Sequence, residues 1–224
     1  MKNPYPELNA FFENYNAIIN IAQSKAIFVR AIEIQKEQIE ILESLLKKIT
    51  EEKHTAQKEG NNEKSNLLLC IGLSVGAVIN ELTLITKLKE DKPDEAWDAL
   101  IIAQNSISSA IRNHPFNGDY LEKYAYKLYS YEKLLFPEMY FASRGCTVSK
   151  SKCSICGEKL EHCEHMKGYA YMGELCYEII EEFESLDEVS LVKNPADKRC
   201  RIIGFPEDGK TYDIFTHREI KEKK

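Results

Sequence analysis

Apolar residues in the first two thirds of the chain recur in steps of three and four. Leu8, Phe12, Tyr15, Ile19, Ala22, Ala26 and Val29 fall on one side of a helix, and Ile39, Leu42, Leu46 and Ile49 do so further along. The first helical stretch is either long or broken near Ser24. Gly60, Asn61 and Asn62 then mark a helix end and a loop. A third stripe runs through Ile71, Val75, Val78, Leu82 and Ile85. Asp91, Pro93, Asp94 and Glu95 announce the next helix, because proline tolerates the missing amide donor there and carboxylates meet the positive end of the helix dipole. Ala96, Leu100, Ala103, Ile107 and Ala110 line it until His114-Pro115 stops it. After the Asn117-Gly118-Asp119 turn, Leu121, Tyr124, Leu128, Tyr131 and Leu135 make a last stripe. These patterns predict four or five packed helices over residues 1–145, with a boundary near 146 punctuated by Pro137 and Gly145.

Beyond 146 the pattern changes. Residues 173–183 read as a short amphipathic helix through Leu175, Ile179, Ile180 and Phe183. Strand patterns follow at 189–192, 200–203 and 212–216, with turns at Asn194-Pro195 and across Glu207-Asp208-Gly209. The expected fold is mainly α: a helical bundle over 1–145 followed by a small α+β module over 146–224. A module of that size has little core of its own, which is the usual reason for a structural metal.

The chemistry lies in that module. Of seven cysteines, Cys70 sits alone on an apolar helical face and reads as a small core residue. The stretch from Cys153 to His165 holds a C-x2-C knuckle and, six residues on, a C-x-H pair. A C-x2-C turn helped by Gly157 points two thiolates at one ion, and a second nearby pair completes the tetrahedron zinc prefers. The assigned ligands are Cys153, Cys156, Cys163 and His165, with Zn2+ as the ion. One residue separates Cys163 from His165, so in an extended segment both project to the same side. His162 is the rival in that pair, and Cys176 replaces one member of it if the chain folds back from Gly173. Four protein ligands within so short a stretch leave no position for a catalytic water, which makes the zinc structural and leaves Glu161 and Glu164 as surface charges.

Composition narrows the function classes. With 43% hydrophobic and 29% charged residues the chain is globular, and its net charge of −6 is shared evenly. Residues 1–145 carry 17 Lys/Arg against 20 Asp/Glu, and 146–224 carry 13 against 16. A general phosphate-binding surface shows as a strong basic excess, so nucleic acid is not the favoured partner. The N-terminus lacks the charged start and apolar stretch of a secretory signal, and a cytoplasmic location is expected. The most apolar run, Leu67 to Ile79, leads into Asn80 and Glu81 and is shorter than the roughly 20 residues of a membrane span, so a buried helix is expected and no membrane partner. Tyr124 and Tyr131 fall in a helical stripe and read as core rather than as base-stacking residues. Arg112 and His114 stand too close together for the Arg/His pair of the helical higher-eukaryote-and-prokaryote nucleotide-binding ribonucleases.

Leu135-Phe-Pro137, the cysteine knuckle, Gly168-Tyr-Ala-Tyr-Met-Gly173 and Glu188-Val-Ser-Leu-Val-Lys-Asn-Pro-Ala196 together resemble uncharacterised bacterial proteins with a helical region and a C-terminal Cys/His zinc module. Residues 188–202 also resemble the closing strands of phage prohead proteases, whose Ser/His pair this chain lacks: it has no serine between Ser154 and Ser185. The expected function is a non-enzymatic zinc-containing adaptor, part of a bacterial multi-protein system of the phage-defence type, meeting another protein or a second copy of itself through its helical region. The alternatives are a nucleic-acid sensor using the zinc module or the Lys198-Arg199-x-Arg201 group, and a metal-dependent hydrolase. An adaptor requires an exposed apolar patch, a nucleic-acid binder a basic one, and a hydrolase a concave pocket beside an open metal position.

Overall fold

The computed structural model describes residues 4–27 and 29–220. Five helices come first: α1 (Asn9–Ser24), α2 (Ile32–Lys58), α3 (Asn62–Lys89), α4 (Pro93–Asn113) and α5 (Glu122–Leu135). Six strands follow: β1 (Phe141–Cys153), β2 (Ala170–Tyr171), β3 (Glu174–Leu175), β4 (Glu178–Val192), β5 (Gly204–Glu207) and β6 (Lys210–Asp213). A helical bundle leading into a small sheet-containing region is the expected fold class. The first helical stretch breaks at Ser24. The buried Gln35 side chain organises the break by donating to the carbonyls of Lys25, Ala26 and Val29, while Lys89 Nζ donates to Val29 O and Gln35 Oε1.

Helix α3 lies between two apolar cores. One joins it to α1 and α2 through Leu42, Leu45, Ile49, Leu68, Val75 and Leu82; the other joins it to α4 and α5 through Leu84, Trp97, Leu100, Ile107 and Leu128. A helix packed on two sides must be apolar nearly all round, and this is the origin of the long apolar run. The expectation that the run is too short for a bilayer is corrected on length. The helix has 28 residues, and its most apolar 18-residue window has a mean hydropathy of 2.0, with 56% of that window buried in the bundle. Of the expected stripes, one position departs: Leu135, at the last turn of α5, is exposed.

Position 146 falls inside β1, and the second core extends past it. Trp97 packs against Phe136, Phe141 and Phe215 at ring-centroid distances of 5.1, 6.2 and 6.0 Å, and its indole N–H donates to Lys198 O at 2.9 Å. The C-terminal segment is thus fastened to the bundle by an aromatic cluster.

The helix expected over 173–183 is instead β3 and the start of β4. β4 pairs antiparallel with β1 along its length, with irregularities. Arg144 faces Val189, Gly145 faces Glu188, Cys146 faces Leu186, Thr147 faces Ser185 and Val148 faces Phe183. Two steps of β1 therefore skip a residue of β4, Asp187 and then Glu184. An extra residue in one strand reverses the alternation of its side chains. Phe183, Leu186 and Val189, three apart, would alternate faces in a regular strand; the two bulges bring them to one face. A three-residue apolar spacing is also what a helix shows, and this is the physical source of the misreading.

The turn expected across residues 207–209 is present, but its strands lie closer to it than the pattern suggested. β5 and β6 flank Asp208 and Gly209, both at positive φ, as a two-residue hairpin turn of the primed type requires. Within the expected strand 200–203, Arg201 makes only an isolated bridge to Phe141.

Candidate metal centre

β1 delivers Cys153 and then turns sharply. Gly157 N donates to Cys153 O at 2.9 Å and Cys153 N to Glu158 O at 2.9 Å, with Gly157 at a φ of +76° that favours glycine. This knuckle brings Cys156 back beside Cys153, and Ile155 N donates to Cys153 Sγ at 3.3 Å. A 3-10 turn over Leu160–His162 then sends the chain into an extended Cys163. His165 N donates to Cys163 Sγ at 3.2 Å, and His165 Nδ1 lies 3.4 Å from the same sulfur. The ligand atoms of Cys153, Cys156, Cys163 and His165 all lie within 4.8 Å of one another, the arrangement of a group that can hold a metal ion. Backbone amides directed at thiolate sulfur relieve negative charge and fix the side chains.

Of the two rivals, His162 stands apart from the group and Cys176 stands against it. His162 stands on the 3-10 turn, exposed and outside the group. Cys176, between β3 and β4, is buried, and its Sγ lies 3.7 Å from Cys153 Sγ. Two sulfurs bound to one zinc at the usual Zn–S length stand about 3.8 Å apart, so Cys176 stands from Cys153 as a co-ligand would, although it falls outside the group whose ligand atoms all lie within 4.8 Å of one another. Cys70 is a core residue, and burial pushes its thiol up to about 12. Cys146 and Cys200 are exposed and belong to no such group among the described residues.

Burial raises the Cys153 thiol, but the amides of Cys156 and Ile155 and the thiols of Cys163 and Cys176 outweigh it and bring the group to about 6. Cys163 moves the other way, to about 11, through burial and the neighbouring sulfurs of Cys153 and Cys156. Cys176 is raised as well, by burial and then by Cys153. One thiolate forms readily and its neighbours resist a second negative charge, a conflict that a divalent cation resolves by binding the deprotonated forms.

The β2–β3 hairpin closes over the centre and reaches the bundle. Met172 and Gly173, at φ +49° and +75°, form its tip. Gly173 N donates to Asn66 Oδ1 and Met172 N to Asn62 Oδ1, at 2.8 and 2.7 Å. Gln57 donates to Met172 O and Lys53 to Gly173 O, at 2.7 and 3.0 Å. Asn113, at the end of α4, donates to Gly168 O and accepts from Ala170 N, at 2.9 and 2.8 Å. Tyr171 packs edge-on against the His165 ring at 4.4 Å. Of the five clamping side chains, Asn62 carried a loop signal in the sequence, and the other four carried none beyond being polar.

Elsewhere the candidate residues have structural partners. Lys198 pairs with Glu132, Arg199 with Asp197 and Arg201 with Asp94. Glu161 and Glu164 are exposed. Tyr124 and Tyr131 donate to the buried Glu81. Cavities of about 620 and 550 Å³ lie beside Trp97 and along the β1–β4 ribbon, and no residue of the Cys/His group lines either. No family model matches the chain, and neither the curated proteins nor the solved structures yield a match.

Proposed function

We propose that this chain is a non-enzymatic interaction protein, an adaptor, whose C-terminal region is organised by one structural zinc ion held by Cys153, Cys156, Cys163 and His165. The observation that carries this reading is the mutual approach of four protein donors to within 4.8 Å, three of them sulfur. Sulfur-rich sets of four suit zinc and close its tetrahedron without water, so the ion has a folding role here and no hydrolytic one. The adaptor role draws support from the surface. Phe183, Leu186, Val189 and Leu191 are 66, 63, 62 and 69% exposed on one strand, whereas the basic group at 198–201 is already neutralised by carboxylates.

The test is metal content of protein purified without added metal, for the natural sequence and for Cys153→Ser, Cys156→Ser, Cys163→Ser, His165→Ala and Cys176→Ser. One zinc per chain, lost in the first four variants and kept in the last, is the expected result. No zinc in the natural protein, or full retention in Cys163→Ser or His165→Ala, would defeat the assignment.

A further inference from the structure

The β1–β4 ribbon has two faces of opposite character. Ala142, Arg144, Cys146 and Val148 alternate along β1 and so share a face, and their partners across the ribbon are Leu191, Val189, Leu186 and Phe183. The other face carries Ser143, Gly145 and Thr147 opposite Ser190, Glu188 and Ser185. An isolated two-stranded ribbon with one apolar face is only marginally stable in water and leaves that face to be covered.

We infer that this face is covered by a second copy of the same chain, the two ribbons stacking about a two-fold axis that passes near Cys146 and Leu186. The inference deepens the adaptor reading and rests on it. Three observations lead to a second copy. The first is area: from the exposures of Phe183, Leu186, Val189 and Leu191, each copy would bury roughly 500 Å² of apolar side chain there. The pair then buries about 1,000 Å², the size at which specific interfaces begin. The second is charge. Arg144 and Glu184 border the groove along this face, and neither has an ion-pair partner among the described residues. Arg144 lies two residues from Cys146 on one side and Val148, opposite Phe183, two residues on the other. A two-fold axis at Cys146 therefore brings Arg144 of each copy to the Phe183-Glu184 step of the other, making two equivalent ion pairs. The third is that the edges are poor alternatives. Besides Glu178 and Glu181, which pair with lysines, β4 carries Glu182, Glu184, Asp187 and Glu188 without an ion pair among the described residues, so two β4 edges would set like charges side by side. The edge of β1 is already used at its start, where Ala142 N donates to Cys200 O at 2.7 Å and Ile202 N to Tyr140 O at 2.9 Å.

The experiment is light scattering and sedimentation of the 224-residue chain, purified without added metal, over a concentration series reaching about 100 µM. The expected result is a species of twice 25.8 kDa whose dissociation constant rises at least about tenfold in Arg144→Glu and in Leu186→Asp. It should return toward the natural value when Arg144→Glu is combined with Glu184→Arg. Arg144 and Glu184 are exposed, so this charge exchange stays informative even if Leu186→Asp fails to fold. A short bismaleimide should link two copies through Cys146, with the product lost in Cys146→Ser and kept in Cys200→Ser. A monomer throughout the series, or a dimer indifferent to both Arg144→Glu and Leu186→Asp, would overturn the inference. Zinc content of the same samples separates the outcomes: a zinc-loaded monomer defeats the self-association alone, and a zinc-free one defeats the metal reading.

Discussion

Glu81 has no exposed surface, yet it sits mid-helix in α3 facing α5. Its carboxylate accepts from Tyr124 Oη at 2.8 Å and Tyr131 Oη at 3.2 Å and pairs with Lys127 Nζ at 2.6 Å. Removing Glu81 takes the acceptor from the Tyr124 and Tyr131 hydroxyls, while Lys127, a third exposed, keeps contact with water and with both rings, so Glu81→Ala should lower stability by about 1–3 kcal/mol in urea unfolding. A cost near that of an exposed substitution would show the set to be dispensable. His114 offers a second test. Its Nδ1 accepts from Phe116 N and Asn117 N, and burial holds its imidazolium below the ordinary histidine range. The folded state therefore binds this proton more weakly than the unfolded chain. His114's contribution to stability is present above the unfolded value of 6.5 and is lost as pH falls through the lower folded one. An NMR titration should place its midpoint below 6.5, and a midpoint at or above that value would contradict the burial argument. The Cys/His spacing made the mutual approach of these four side chains legible residue by residue, because the geometry of a knuckle is local. Glu81 was not legible: as the polar end of an apolar run it looks like a boundary, and only the position of α5 makes it an interior residue.

At the level of elements, helices were readable because a period near 3.6 is repeated over four or more turns and packing does not alter it. The ribbon was unreadable for the converse reason: β4 takes its register from β1, and each bulge resets which residues share a face. The β2–β3 hairpin is shorter still and owes its place to side chains on three helices. Asn66 and Asn113 each make two bonds to its main chain. Asn66→Ala and Asn113→Ala should each cost about 1–3 kcal/mol, the penalty for buried groups left unpaired. Hydrogen exchange at Ala170 and Gly173 should accelerate while α3 and α4 keep their protection; unchanged exchange would mean that the hairpin holds without the clamp.

For the whole molecule, the Cys/His group and the bundle are joined in two ways, through the hairpin clamp and through the aromatic cluster around Trp97. Only the first lies next to the Cys/His group. Chelating the proposed zinc should therefore loosen residues 153–177 while the helical circular-dichroism signal and the emission of Trp97, the one tryptophan, stay as they are. Loss of the helical signal together with the metal would show that the two parts fold as one. The architecture, helices first and a cysteine-rich region after, could be read in advance because it follows composition along the chain; their attachment could not, since it joins residues far apart in the chain, 120 positions for Lys53 and Gly173. The manner of attachment has a further consequence. Apart from the Glu174 carboxylate, which Lys53 and Gln57 also hold, bundle side chains grip the hairpin by its peptide groups, and peptide groups are the same whatever residue carries them. The chain can thus exchange the side chain at Met172 without renegotiating its hold on the helices, whereas Gly173 must stay glycine, since at its φ of +75° a Cβ would meet the Ser65 carbonyl and the Lys53 side chain at 3.1 Å.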